Sequence, residues 1–208
     1  MTAHDTRLAR ALADSSTEAR PTPVDVFRMA RRRWLKGQRL NLAELAKEAG
    51  IGRATLFRWV GSKDLLMQEI LWSLYEPIFR EAVEAAGGSG PAHVVEVHRR
   101  VIRNVLLAEP MQRFINQDPD YALRILTSSS TVLHERTVAI AREHLEQCVE
   151  KGEIRLPIPA HRFAEIITRI NKSLMYGDQA DDYAQAIDEA GTLMEILLSG
   201  GARVQEHA

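Results

Sequence analysis

A chain of 208 residues with 45% hydrophobic and 26% charged residues has ordinary globular composition, which excludes disorder over most of its length. Its single cysteine, Cys148, excludes an intrachain disulfide, and no apolar run reaches the roughly 18–20 residues that a membrane-spanning helix needs. The first residues, MTAHDTRLARALADSSTEARP, lack the apolar centre of a signal peptide, so we expect a soluble, cytoplasmic protein with no membrane partner. The net charge of −1 conceals an asymmetry. Residues 1–66 hold 13 Lys or Arg against 7 Asp or Glu, a net of +6, and the remainder carries −7. A basic first third on an acidic body suggests a polyanionic partner for that third alone.

In chain order, residues 1–22 read as a polar arm with Arg7, Arg10 and Arg20, partly helical over 6–13. Pro21 and Pro23 interrupt it. A helix is expected from Pro23 to about Lys36, with Val26, Phe27, Ala30 and Trp34 at helical spacing and Gly37 as its stop. A second is expected over 42–49 with Asn41 as N-cap, and a third over 53–60 after Gly52. A long fourth follows over 63–86, capped by Ser62, with Asp64 and Glu69 suited to its dipole. The run Gly87-Gly88-Ser89-Gly90-Pro91 is the clearest break in the chain. Further helices are expected at about 92–108, 119–127, 131–151, 160–177 and 181–199, with Pro110, Pro119, Pro157 and Pro159 between them. No run of alternating β-branched residues occurs, so the fold class is all-α.

The segment from Leu42 to Trp59 has the pattern of a helix-turn-helix. Two short helices that cross steeply need a small residue at the contact, which Ala46 provides, and a turn residue that accepts positive φ, which Gly50 provides. Leu45, Ile51 and Leu56 fall where they pack the helices together. Arg53, Thr55 and Arg58 are left outward, where arginine suits guanine edges and threonine a thymine methyl or a phosphate. Ala-x-x-x-Gly also occurs in helical hairpins that only pack. The basic run Arg31-Arg32-Arg33 with Lys36 favours DNA.

The run from Asn41 to Leu66 resembles the DNA-binding signature of the TetR family. It reads Ala49-Gly50-Ile51 at the turn, Thr55-Leu56-Phe57 in the recognition helix and Ser62-Lys63-Asp64-Leu65 at the start of the fourth helix. It departs from the family pattern at Phe57, which stands for a tyrosine, at Gly52 for a serine cap, at Val60 for a phenylalanine, and at Trp59 for His or Tyr. The resemblance implies an N-terminal three-helix helix-turn-helix domain over 23–66 and a helical ligand-binding and dimerisation domain over 67–208. The candidate DNA-binding residues are Asn41, Arg53, Ala54, Thr55, Phe57, Arg58, Trp59 and Lys63. Lys63 matches the family's phosphate-binding lysine, and the Trp59 indole N–H is a further phosphate donor.

Past residue 86 the resemblance weakens. The stretches Glu109–Ile115 and Tyr121–Thr127 are similar to the QsdR subgroup, named for quorum-signal degradation. That similarity implies a repressor of lactone-degradation genes released by a lactone or a related acyl compound. Candidate effector contacts are Met111, Phe114, Ile115, Tyr121, His134, Asn171, Met175 and Tyr176, each of which reads equally as helical core. His98, His134 and Asn171 lie on apolar helix faces, where a hydrogen-bonded core residue is the simpler reading. In the last two helices Phe163, Ile166, Ile170, Leu174, Ile187, Leu193, Met194, Leu197 and Leu198 form wide apolar faces, which suit the homodimer that the family implies.

Little in the sequence suggests catalysis. There is no Gly-x-Ser-x-Gly, nucleotide loop or His-Glu-x-x-His, and we assign no catalytic residue, metal site or cofactor. Cys148 beside Leu145 and Val149 is expected to be buried. His93, Glu96 and His98 spread around a helix rather than converging. Two other readings stay open: an activator or effector-independent DNA binder, and a small-molecule-binding or catalytic helical protein whose basic segment is incidental.

Overall fold

The computed structural model describes residues 21–174 and 183–203, with the side chains of residues 174 and 200–203 left aside. The expected helix in the arm, together with Arg7, Arg10 and Arg20, lies outside the described residues, as do Met175 and Tyr176. Ten helices and no strands are found among the described residues, in line with the all-α expectation.

Helix α1 (Pro23–Leu35) starts where the sequence indicates, with proline in its first turn. Thr22 and Asp25 form a reciprocal capping box. Asn41 caps α2 (Leu42–Glu48) by accepting from the Ala43 and Glu44 N–H groups. Between α2 and α3 (Arg53–Val60), Gly50 takes φ +64°, so the Ile51 N–H reaches the Ala46 carbonyl and the Gly50 N–H the Lys47 carbonyl. This closes α2 in a Schellman turn that only a residue tolerant of the left-handed region forms without strain. Gly52 leaves α3 with no side-chain cap. Ser62 caps α4 (Lys63–Ala86) through the Leu65 N–H.

Helix α4 runs through Pro77. Proline has no N–H for the Ser73 carbonyl, so one rung of the helix ladder is missing at its middle. Next come α5 (Gly90–Leu106), α6 (Glu109–Gln117), α7 (Pro119–Thr127), α8 (Val132–Glu150), α9 (Ala160–Leu174) and α10 (Tyr183–Arg203). Helix α6 is a correction to the sequence reading. From sequence Pro110 and Pro91 read as breaks between helices; both stand instead in the first turns of α6 and α5, where a missing N–H costs nothing.

The principal packing partners are α4 with α5, α5 with α10, α8 with α9, and α4 with α8. The apolar core does not pause at residue 66. One cluster joins Val26, Ala30 and Trp34 of α1, Leu45 and Leu56 of the helix-turn-helix, Met67, Ile70 and Leu71 of α4, and Phe114, Ile125 and Leu126 of α6 and α7. A second joins α5, α8, α9 and α10 around Val94, Leu145, Cys148, Phe163 and Met194. Phe163, Ile187, Met194 and Leu198, read from sequence as part of a dimer face, are buried within the chain itself. Ile166 remains 42% exposed, and its α10 counterpart is Ile196 at 61%. Cys148 is a buried free thiol.

Candidate nucleic-acid interface and ligand cavity

Helix α3 is held by one side. Leu56 is fully buried, and Trp59 and Val60 pack against the core that α1 and α4 share. Arg53, Ala54, Phe57 and Arg58, spaced one and four apart, then form a single outward stripe. Among the described residues neither arginine forms an ion pair, and Phe57 is 47% exposed. Thr55 and Trp59 are half-buried. The Trp59 ring is therefore committed largely to packing rather than to the open surface the sequence suggested. Asn41 is exposed, but its oxygen caps α2 and its amide donates to Glu44 Oε1 at 3.1 Å.

The basic run of α1 is partly structural. Arg33 pairs with Glu44 at 3.1 Å and Glu48 at 2.7 Å, clamping α1 to α2. Arg31 Nε donates to Ser73 Oγ of α4 at 3.0 Å.

Lys63 and Tyr121 were assigned separately from sequence, one to DNA and one to an effector, yet they touch. Lys63 Nζ lies 4.5 Å above the Tyr121 ring, and the Arg124 guanidinium lies 5.2 Å from it. Arg124 forms a forked pair with Asp64 at 2.6 and 3.3 Å and holds that carboxyl below its ordinary range. Tyr121 meets Phe114 edge-on at 5.8 Å, and Phe114 meets Trp34 at the same distance.

Behind this junction lies a cavity of about 260 Å³. Leu71, Leu74, Tyr75 and Ile78 line it from α4, and Val101, Ile102, Val105 and Leu106 from α5. Met111 of α6 and Leu126 of α7 close one side. Trp34 and Leu35, the end of α1, form its floor. The polar lining is His134 and Thr137 of α8 and Thr168, Asn171 and Lys172 of α9. Of the expected effector contacts, Met111, His134 and Asn171 meet here. Phe114, Ile115 and Tyr121 do not line the cavity. They pack in the core between α1, α6 and α7. A smaller hollow of about 40 Å³ adjoins it and shares Tyr75, Val101, Thr168 and Asn171. It is walled in part by His98 and His144, whose imidazoles burial lowers to about 4.

The sequence reading missed Tyr75, Thr168 and Lys172. A signal for them exists. Residues 71, 74, 75 and 78 repeat at helical spacing on α4, and Thr168 and Lys172 share the face of Asn171, three residues before it and one after.

Contacts from α6 fasten the cavity wall to the helix-turn-helix. Arg113 Nη2 donates to the Leu35 carbonyl at 3.1 Å, Gln117 Nε2 to the Gly37 carbonyl at 3.4 Å, and Arg39 Nη2 to the Gln117 carbonyl at 3.2 Å. The first two satisfy carbonyls at and just past the C-terminal end of α1, and the third a carbonyl at the C-terminal end of α6, where no helical donor is available. With φ +77° at Gly37, a Cβ there would lie 2.9 Å from Arg113 Cδ, so only glycine admits this approach.

A family model for the tetracyclin repressor-like C-terminal domain matches residues 89–199, more than half the chain. The chain belongs to the TetR family of transcriptional regulators. The TetR-family transcriptional repressor QsdR of R. erythropolis superposes with a TM-score of 0.74 at 26% identity, over 86% of this chain and 96% of that one. AlkX, a TetR family repressor from Dietzia sp. implicated in biodegradation of n-alkanes, gives 0.56 at 20% identity over 86% and 98%. A putative TetR-family regulator from Rhodococcus sp. gives 0.51 at 14% over 83% and 96%. These last two share the fold. No curated protein matches the sequence significantly. Among the described residues no helix is long and apolar enough to cross a membrane, and no cluster of three potential metal ligands occurs.

Proposed function

We propose that this TetR-family protein is a homodimeric, sequence-specific repressor that a small molecule releases from its operator. In this reading Arg53, Ala54, Thr55, Phe57 and Arg58 enter the major groove. Asn41, Trp59 and Lys63 meet the phosphates around it. The effector occupies the cavity against Met111, His134 and Asn171. One observation carries the proposal: Trp34 and Leu35 are at once the floor of the cavity and the end of the helix that seats the helix-turn-helix. An occupant that binds one placement of α1 better than another shifts the recognition helices by that difference in affinity. The similarity to QsdR supports a lactone or a related acyl compound as effector. Ile166 and Ile196 with half-buried Ile170, Leu193 and Leu197 on α9 and α10 supply the apolar face for pairing two copies.

Fluorescence anisotropy with the DNA flanking the protein's own gene tests the reading. Preference over a scrambled fragment by about a thousandfold at near-physiological salt is expected. Equal, salt-sensitive affinity for both fragments and for genome-selected sequences would refute specific regulation. A monomer mass by light scattering at micromolar concentration would refute the dimer.

A further inference from the structure

The polar lining of the cavity carries Lys172, and among the described residues no carboxylate lines it. Lys172 Nζ donates to the Ser128 and Thr127 carbonyls at 3.1 and 3.5 Å, and no carboxylate pairs with it among the described residues. Glu165, one turn earlier on α9, is held by Arg162 at 3.1 Å and Arg169 at 2.7 Å. Beside Lys172, His134 is 6% exposed and its Nδ1 is buried without a hydrogen-bond partner among the described residues. A buried ring nitrogen left unpaired is costly in a finished core, but natural in a site that a ligand completes. Thr137, Thr168 and Asn171 add neutral polar groups to the same lining. The rest of the wall is hydrocarbon, notably Leu71, Leu74, Ile78, Val101, Val105 and Met111.

We infer that the cavity takes an amphiphilic monocarboxylate, its carboxylate on Lys172 and His134 and its aliphatic tail between α4 and α5. The inference rests on the effector reading above and narrows it from acyl compounds in general to their anionic form. Burial, with Arg169 nearby, lowers the Lys172 ammonium to about 8. It is still charged at neutral pH, and an anion beside it relieves the cost of that burial. The volume lies just below the roughly 300–1,000 Å³ of common ligand pockets, which favours a medium chain over a long one.

The probes are decanoate, methyl decanoate and γ-decalactone, titrated by calorimetry and by the tryptophan fluorescence of the full-length protein, to which Trp34 at the cavity contributes. The variants are Lys172→Met, Lys172→Arg and Val105→Trp. Decanoate should bind the wild type about ten- to a hundredfold more tightly than either neutral probe, as befits a charge-assisted hydrogen bond. Lys172→Met should erase that preference, Lys172→Arg should keep much of it, and Val105→Trp should block all three probes. If the lactone or ester binds as tightly as decanoate, the anionic inference fails and the effector cavity stands. If Lys172→Met lowers the melting temperature and leaves the ratio of affinities unchanged, Lys172 serves only to cap α7, and the inference again fails. If no probe binds a protein that still recognises its operator, the inference and an acyl effector fall together.

Discussion

Acid should loosen this protein well before its carboxylates protonate, because buried histidines are held neutral, His98 and His144 most strongly. His98 and His144 are both about 90% or more buried. Burial lowers each imidazole from 6.5 to about 4, aided at His144 by the charges of His93 and Lys151. Between those values the unfolded chain binds protons that the folded chain refuses, so stability falls as pH falls and is flat above about 7. From pH 7 to pH 5 the loss is about 2 kcal/mol for each histidine, about 4 kcal/mol for both, at 1.36 kcal/mol per unit. That is a large part of the roughly 5–15 kcal/mol that holds a typical domain together. Urea unfolding at pH 7 and pH 5 measures it, at one protein concentration so that association does not shift the midpoint. His98→Leu should remove about 2 kcal/mol of the difference and His98→Leu/His144→Leu about 4 kcal/mol, while buried His134, lowered in the same direction, contributes to what remains. Equal loss in the wild type and the double variant would refute the assignment and place the acid sensitivity elsewhere.

Three other outcomes follow from the geometry. Arg53→Ala should change the sequence preference found by binding-site selection, whereas Lys63→Ala should weaken all sequences about equally; identical preferences for Arg53→Ala and wild type would remove its base-reading role. Gly50→Ala should destabilise by about 1–2 kcal/mol in urea although nothing lies within 4 Å of the added Cβ, because φ is +64°. Gly52→Ala, at φ −69° and equally open, is the control: alanine is the poorer N-cap but stiffens the unfolded chain, so the two effects should leave a change of less than about 0.5 kcal/mol. Arg113→Met cuts the bond to the Leu35 carbonyl, so ligand affinity should persist while ligand-induced release from DNA weakens; unchanged release would show that α6 is not the coupling element.

The helices of the N-terminal half were legible because local chemistry marks their ends. Pro23 opens α1, Asn41 and Ser62 cap α2 and α4, and Gly37 and Gly50 terminate. The outward stripe of α3 was legible for the same reason, since Leu56 fixes which side is inward. The cavity was less so. Its wall draws residues from seven helices, and apolar periodicity shows which face of a helix is buried without showing whether that face meets side chains or a void. Phe114 and Met111 lie on the same short helix, yet one fills the core and the other borders the cavity. The wide apolar faces of the last two helices carried the same ambiguity. Much of that surface is spent inside the chain, and a smaller outer remnant is left at Ile166 and Ile196. The partial burial of Trp59 was not legible, because its place in the motif says nothing about how closely α1 and α4 approach it.

The continuity of the core across residue 66 bears on how such regulators can be recombined. A chimera that joins this helix-turn-helix to a foreign sensor at the start of α4 would sever Trp34, Leu45 and Leu56 from Leu71, Phe114 and Ile125 and mate two half-surfaces never fitted together. Grafts that carry the start of α4 with α6 and α7 along with the first three helices, or that transplant only the outward stripe of α3, keep that seam intact. New operator specificity is therefore reached more readily by exchanging a few α3 side chains than by exchanging whole segments.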